Sequence, residues 1–433
     1  MKKQLGFWSI LSLVIGNMIG VGIFIMPSVL APYGSLSLLG WGLTLIGALL
    51  IALIFSRLSS TFPSAGGPYA YARAGFGDFI GFQTAWTYWI SLLIGSTATI
   101  VSALGYMSIF WPSISHSPTI TLFMGLFIIW GLTLINVVSI SIAGRFQIIM
   151  TILKLLPLGL LLVFGFPHLD FDNFVPFNPS GKSSFMALIE VSILTMWGFI
   201  GIESATVPAD HVSNPKKTIP RATILGTIIV GFLYIAISAL VIGLVPNDLL
   251  QKTPASFALA AKVIFGQKGA IFVALTAVFA AVGSLNGWFL IQAQVPLAAA
   301  KDKLFPKKFS QTSSSGTPVF GLLLSGALMS ILLFMNYNKT FIEAFHFMIT
   351  LGTLSILITY LFSVLSELML FLEKPQKFKK KDLAKALALT IPATGYILFA
   401  LIGSGPEIMM WGSFLFFASA PIYILVRWQN REI

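Results

Sequence analysis

Four ionisable residues, Lys154, Glu190, Glu203 and Glu367, fall inside long apolar stretches. A charge within a bilayer costs about 2.5–3.5 kcal/mol even on the mildest scales, so each is a candidate functional group by default. Glu203 follows the run Trp197-Gly198-Phe199-Ile200-Gly201-Ile202 by one residue. There a carboxylate can exchange a proton, form part of a gate, or serve as a hydrogen-bonded structural acid. Lys154, in Thr151-Ile152-Leu153-Lys154-Leu155-Leu156-Pro157, sits too deep to snorkel to an interface. Its ammonium can stand in for a bound cation, titrate during a cycle, or hold carbonyls of a broken helix. Glu190 and Glu367 lie nearer span ends and read as interfacial. Trp197, Trp288, Tyr88 and Tyr360 could close over a solute from several spans, and indole faces attract cations. His116, His168, His211 and His346 show no metal-ligand spacing, there is no cysteine, and neither a phosphate loop nor a catalytic triad is visible. An enzyme is therefore not expected, nor a metal or cofactor.

The backbone itself supplies a second kind of chemistry. Gly16-Asn17-Met18-Ile19-Gly20-Val21-Gly22-Ile23-Phe24 places three glycines in an apolar stretch spanning residues 7–30. Each glycine costs a helix interior about 1 kcal/mol relative to alanine, which favours unwinding at that point. Freed amides around Ile19, Gly20, Val21 and Gly22 suit a carboxylate, and carbonyls near Trp197 and Ile200 suit an ammonium. Together they would hold a zwitterion. Gly16 and Gly20 also form the G-x-x-x-G pattern of close helix packing, a simpler reading of the first cluster taken alone. Two interruptions in corresponding spans point instead to an inverted repeat with a solute site between its halves.

The elements that must carry these groups are membrane helices. Hydrophobic residues make up 57% of the chain and charged residues 9%, with a mean hydropathy of +0.92; soluble domains carry about 25% charge. About twelve apolar segments are long enough to span a bilayer, near 7–30, 38–56, 82–110, 119–140, 146–166, 186–207, 222–245, 269–297, 319–336, 342–371, 386–403 and 407–426. The first is too long for a cleaved signal peptide. The net charge of +12 suggests topology rather than nucleic acid, because basic residues alternate with the spans. Lys2, Lys3, Arg57, Arg73, Arg145, Lys216, Lys217, Arg221, Lys301, Lys303, Lys307, Lys308, the basic run at 374–385, Arg427 and Arg431 fall on one side. Both termini are then cytoplasmic in an inner, or cell, membrane. The linker at 165–184 divides ten core spans into repeats of about 1–166 and 186–373, and 374–433 adds a basic linker and two peripheral helices. The linkers at 63–73 and 208–220 should lie at the inner face.

Gly16-Asn17-Met18-Ile19-Gly20-Val21-Gly22-Ile23-Phe24, Gly66-Gly67-Pro68-Tyr69-Ala70-Tyr71-Ala72-Arg73, Trp197-Gly198-Phe199-Ile200-Gly201-Ile202-Glu203-Ser204, Asn214-Pro215-Lys216, Gly283-Ser284-Leu285-Asn286-Gly287-Trp288 and Leu304-Phe305-Pro306 resemble the amino acid, polyamine and organocation transporter superfamily. The likeness runs nearly end to end and is greatest to the bacterial arginine/agmatine and related basic amino acid antiporters. It implies an all-α membrane protein with a LeuT-like five-plus-five inverted repeat, broken first and sixth helices, two extra helices, and alternating access. It also implies that amides at Val21 and Gly22 receive a substrate carboxylate, that carbonyls of Met18, Trp197 and Ile200 receive its amino group, and that Trp197 closes over it. Tyr88, Glu203 and Tyr360 would form the inner gate, with Trp288 separating the site from one side. Several pocket positions depart from the antiporter pattern: Val21 and Gly352 stand where it has serines, Ser96 where it has asparagine, and Ser91 and Leu92 where it has alanine and cysteine. Arginine is therefore not assumed. Lys154 matches some proton-coupled symporters instead, which shifts weight toward proton coupling. The expectation is a secondary transporter of amino acids or related amines, by antiport or with protons, with a homodimer as the expected assembly; a polyamine-selective exchanger or a channel is the alternative.

Overall fold

A backbone in lipid must satisfy its own amides, and helices do so within one segment. The computed structural model describes residues 5–61, 67–138, 143–206, 212–314, 316–373 and 380–430. Lys2, Lys3, Arg431, the linker residues 63–66 and 208–211 (His211 among them) and the basic residues 374–379 lie outside that description, as do the side chains of Val21 and Arg145. The helices are α1 (Phe7–Met18), α2 (Met26–Leu30), α3 (Leu36–Thr61), α4 (Pro68–Met107), α5 (Pro118–Val138), α6 (Ala143–Gly165) and α7 (Ser184–Met196). They continue as α8 (Pro215–Leu244), α9 (Ser256–Lys301), α10 (Val319–Met335), α11 (Phe341–Glu373), α12 (Lys380–Ile402), α13 (Gly405–Phe417) and α14 (Ser419–Gln429).

Among the described residues, nine helical segments are long and apolar enough to cross a membrane, and three shorter apolar helices bring the number to twelve. This agrees with the spans read from hydropathy. The first span is divided: α1 stops at Met18, Gly20 is extended at φ −86°, ψ 171°, and a 3-10 turn (Val21–Phe24) leads into α2. The sixth is divided likewise, with α7 followed by 3-10 turns at Trp197–Phe199 and Ile202–Ala205.

A second pair of irregularities marks the repeat. α4 bends at Gly77 (φ 81°, ψ −174°) and α9 at Gly266 (φ 68°, ψ −164°), each about ten residues from the start of its helix. These two helices are third in their respective halves. Packing follows the same exchange: α4 lies along α11, α9 along α6, and α3 along α8. The Leu5 carbonyl accepts from the Ser213 amide at 2.9 Å, Ser60 Oγ donates to the Lys216 carbonyl, Tyr69 Oη to Asp302 and Asn430 Nδ2 to the Lys303 carbonyl. These contacts bring Leu5, Asn430 and the neighbouring ends of α3, α4, α8 and α9 to one face, which carries Lys216 and Lys303. Lys182 and Tyr33 meet Glu190 at the other face.

Both bends use a backbone region that only glycine enters without strain. An added Cβ would touch nothing within 4 Å at either position, so any cost of substitution is conformational. Gly77→Ala and Gly266→Ala should each destabilise by about 1–3 kcal/mol. Gly131→Ala, also in open space but in ordinary helix, should instead stabilise by up to about 1 kcal/mol. Thermal midpoints of the three purified variants in detergent check this ordering.

Candidate functional site

Breaking α1 orphans the carbonyls that would have bonded the next turn. The Ile19 amide still reaches the Ile15 carbonyl at 2.9 Å, but that of Gly20 turns to Met18 at 2.8 Å. Gly16 thereby loses its intrahelical partner. Lys154 Nζ donates to that carbonyl at 2.5 Å, and the side chain is only 1% exposed. The site suits a cation, because a helix C-terminus carries partial negative charge. Among the described residues no carboxylate pairs with Lys154. Tyr234 Oη, from α8, donates to the Met18 carbonyl at 2.7 Å. That carbonyl therefore accepts from both Tyr234 and Gly20, and an ammonium could use it only by displacing one of them. Beyond the break, the Phe24 carbonyl accepts from Tyr106 Oη at 2.7 Å and Ser256 Oγ at 2.9 Å.

The second break rests on Gly201, which is left-handed at φ 116°. Its amide donates to Glu203 Oε2 at 3.1 Å. Tyr88 Oη donates to Oε1 at 2.9 Å, and Tyr360 Oη donates to Oε2. Glu203 is fully buried, so three donors from three elements replace its water. Asn17 Nδ2 donates to Ser204 Oγ at 2.8 Å and joins the two breaks directly. Behind them Trp41, Phe199 and Tyr234 form an aromatic wall, with Trp41 and Tyr234 ring centres 4.9 Å apart.

Between the breaks lies a cavity of about 50 Å³, room for several waters at about 10–15 Å³ each. Of the residues singled out from sequence or resemblance, Met18, Gly20, Gly22, Ser91, Leu92, Ser96, Trp197, Ile200 and Trp288 line it. Ile19 and Gly352 do not, although Gly352 backs onto the Trp197 ring. Tyr88 and Tyr360 sit toward the basic face on Glu203 rather than at the cavity. No described lining residue is charged. Ser96 Oγ is buried without a hydrogen-bond partner, whereas Ser91 Oγ donates to the Tyr88 carbonyl at 2.7 Å.

Asn17, Ile23, Met26, Gly95, Thr99, Gly198 and Tyr234 complete the lining and were not singled out from sequence. Asn17 and Gly198 lie within the two glycine-rich runs, and Gly95 beside Ser96, so adjacency was a usable signal. Tyr234 offered none, being one tyrosine in an unbroken apolar helix. Glu367, read from sequence as near a span end, has a side chain only 5% exposed that accepts from Arg57 Nε at 2.5 Å, where the ends of α3 and α11 converge. Glu190, at 23% side-chain exposure, pairs with Lys182.

Known proteins agree with this architecture. The amino acid permease family model matches residues 5–426. A cadaverine/lysine antiporter of Escherichia coli K12 is 33% identical over 76% of this chain and 74% of its own length. A putative arginine/ornithine antiporter of Bacillus subtilis is 31% identical over 98% and 97% of the two chains, and a Haemophilus influenzae putrescine transporter is 30% identical over 99% and 98%. With a multi-pass helical fold interrupted twice at one cavity, and a family match along almost its whole length, this chain belongs to the amino acid permease family of membrane transporters.

Proposed function

We propose that this protein exchanges amino acids or their amine relatives across an inner membrane by alternating access, with both termini in the cytoplasm. The reading is carried by one observation: two interrupted helices meet at a cavity lined by Trp197, Trp288 and the residues of both breaks. The first amides of the 3-10 turn at Val21 and Gly22 have no acceptor within that turn and suit a carboxylate. The carbonyls of Trp197, which also accepts from the Ile200 amide at 3.2 Å, and of Ile200 suit an ammonium, and the indoles of Trp197 and Trp288 can hold a cationic side chain without a countercharge. Relatives named for lysine, cadaverine, arginine, ornithine and putrescine support this solute class. The three bonds to Glu203 fit an inner gate formed with Tyr88 and Tyr360. Excess basic residues at the face holding both chain ends support the orientation. Residues 1–373 would form the transport core and 374–433 its peripheral addition.

Proton coupling is a second reading, favoured by Lys154, whose ammonium occupies the orphaned Gly16 carbonyl without a carboxylate partner among the described residues. The two readings separate in proteoliposomes. Exchange predicts uptake of labelled lysine, arginine or putrescine that requires unlabelled substrate inside. Coupling predicts uptake driven by a pH gradient alone, with Glu203→Gln or Lys154→Ala altering the pH profile; identical profiles in both variants and the parent would remove protons from the mechanism.

Because the chain has no cysteine, Ser96→Cys introduces a unique thiol at the cavity. A solute at ten times its Kd should slow labelling of that thiol roughly tenfold by mass action. Labelling unaffected by every transported solute would place their site elsewhere.

A further inference from the structure

Glycines from three separate segments surround a single indole. A Cβ at Gly95 of α4 would lie 2.5 Å from Cη2 of Trp197. One at Gly22 would lie 2.6 Å from Nε1, and one at Gly352 of α11 3.4 Å from Cζ3. Carbon atoms do not approach to 2.5 Å, so the ring and a Cβ at Gly95 cannot coexist in these positions. Backbone conformation does not explain the glycine, because Gly95 sits within regular α4 and is not left-handed. There alanine would be the better helix former. What glycine supplies is space, and the indole fills it while its remaining surface borders the cavity.

We propose that Gly95 is the seat of the Trp197 indole when the site is closed, and so a positioning residue for solute capture. The proposal rests on the reading that Trp197 closes over the solute. It assigns Gly95 a specific job within that reading. With any side chain at 95 the ring cannot dock and the closed form is disfavoured, whereas the open form, with the ring swung away, has no clash. The solute should then be held less tightly. Gly22 meets the same ring, but it lies in the helix break and its substitution would disturb two features at once. Gly95 isolates the seat.

The test is a double-mutant cycle in the whole protein, using Gly95→Ala, Trp197→Phe and the combination. Phenylalanine ends short of Cη2 and clears a Cβ at position 95. Gly95→Ala alone should raise KM for labelled solute at least about tenfold, with a smaller change at saturation, the response expected of overpacking at a docking surface. In the Trp197→Phe background the same substitution should change KM by less than about twofold, a near-complete coupling of the two sites. Thermal midpoints in detergent should show the same coupling, which preserves the test if Trp197→Phe transports poorly. An unchanged KM and midpoint in Gly95→Ala, or equal effects of Gly95→Ala in both backgrounds, would overturn the seat. Trp197→Phe with parental KM speaks against the closing role of the indole itself, a separate outcome read from a different corner of the cycle.

Discussion

A peptide group without a hydrogen-bond partner inside a bilayer costs several kcal/mol, and this fold interrupts two helices at that depth. Nearly every polar contact around the cavity can be traced to that constraint. Lys154 meets the carbonyl that α1 abandons at Gly16. Tyr234 meets the one at Met18, while Tyr106 and Ser256 share the one at Phe24. Each of these donors comes from another span. The breaks are therefore held open by tertiary structure.

The same logic explains why the buried carboxylates described in the core are hydrogen-bonded. Glu203 is buried but receives hydrogen bonds from Tyr88, Tyr360 and the Gly201 amide. A carboxylate so supplied is tolerable in low dielectric, and it joins α4, α11 and the segment after the second break at one atom group. Glu367 plays a comparable part nearer the basic face, where Arg57 joins α3 to α11. Tyr360 and Glu367 are two helical turns apart on α11, so one helix carries both closures.

The aromatic residues divide into two roles by what surrounds them. Trp41, Phe199 and Tyr234 pack on one another behind the second break and make a fixed wall. Trp197 packs on glycine positions instead and stays half-buried at the cavity edge. The interlocked wall and the ring at the cavity edge thus lie two residues apart in the chain, at Phe199 and Trp197.

Sequence alone determined the features written in local composition. Glycine clusters marked both interruptions, because loss of Cβ weakens a helix wherever it occurs, and hydropathy marked the spans, because a bilayer requires uninterrupted apolar length. Most of the cavity lining followed from those two signals together with the family resemblance. Tertiary structure decided everything that depends on which span lies beside which. Tyr234 reaches Met18 across 216 residues, Asn17 reaches Ser204 across 187, and Glu367 finds Arg57 because the end of α3 meets it. Nothing in the neighbouring residues encodes such partners. They are fixed by how the helices pack, and packing is a property of the whole chain rather than of any segment.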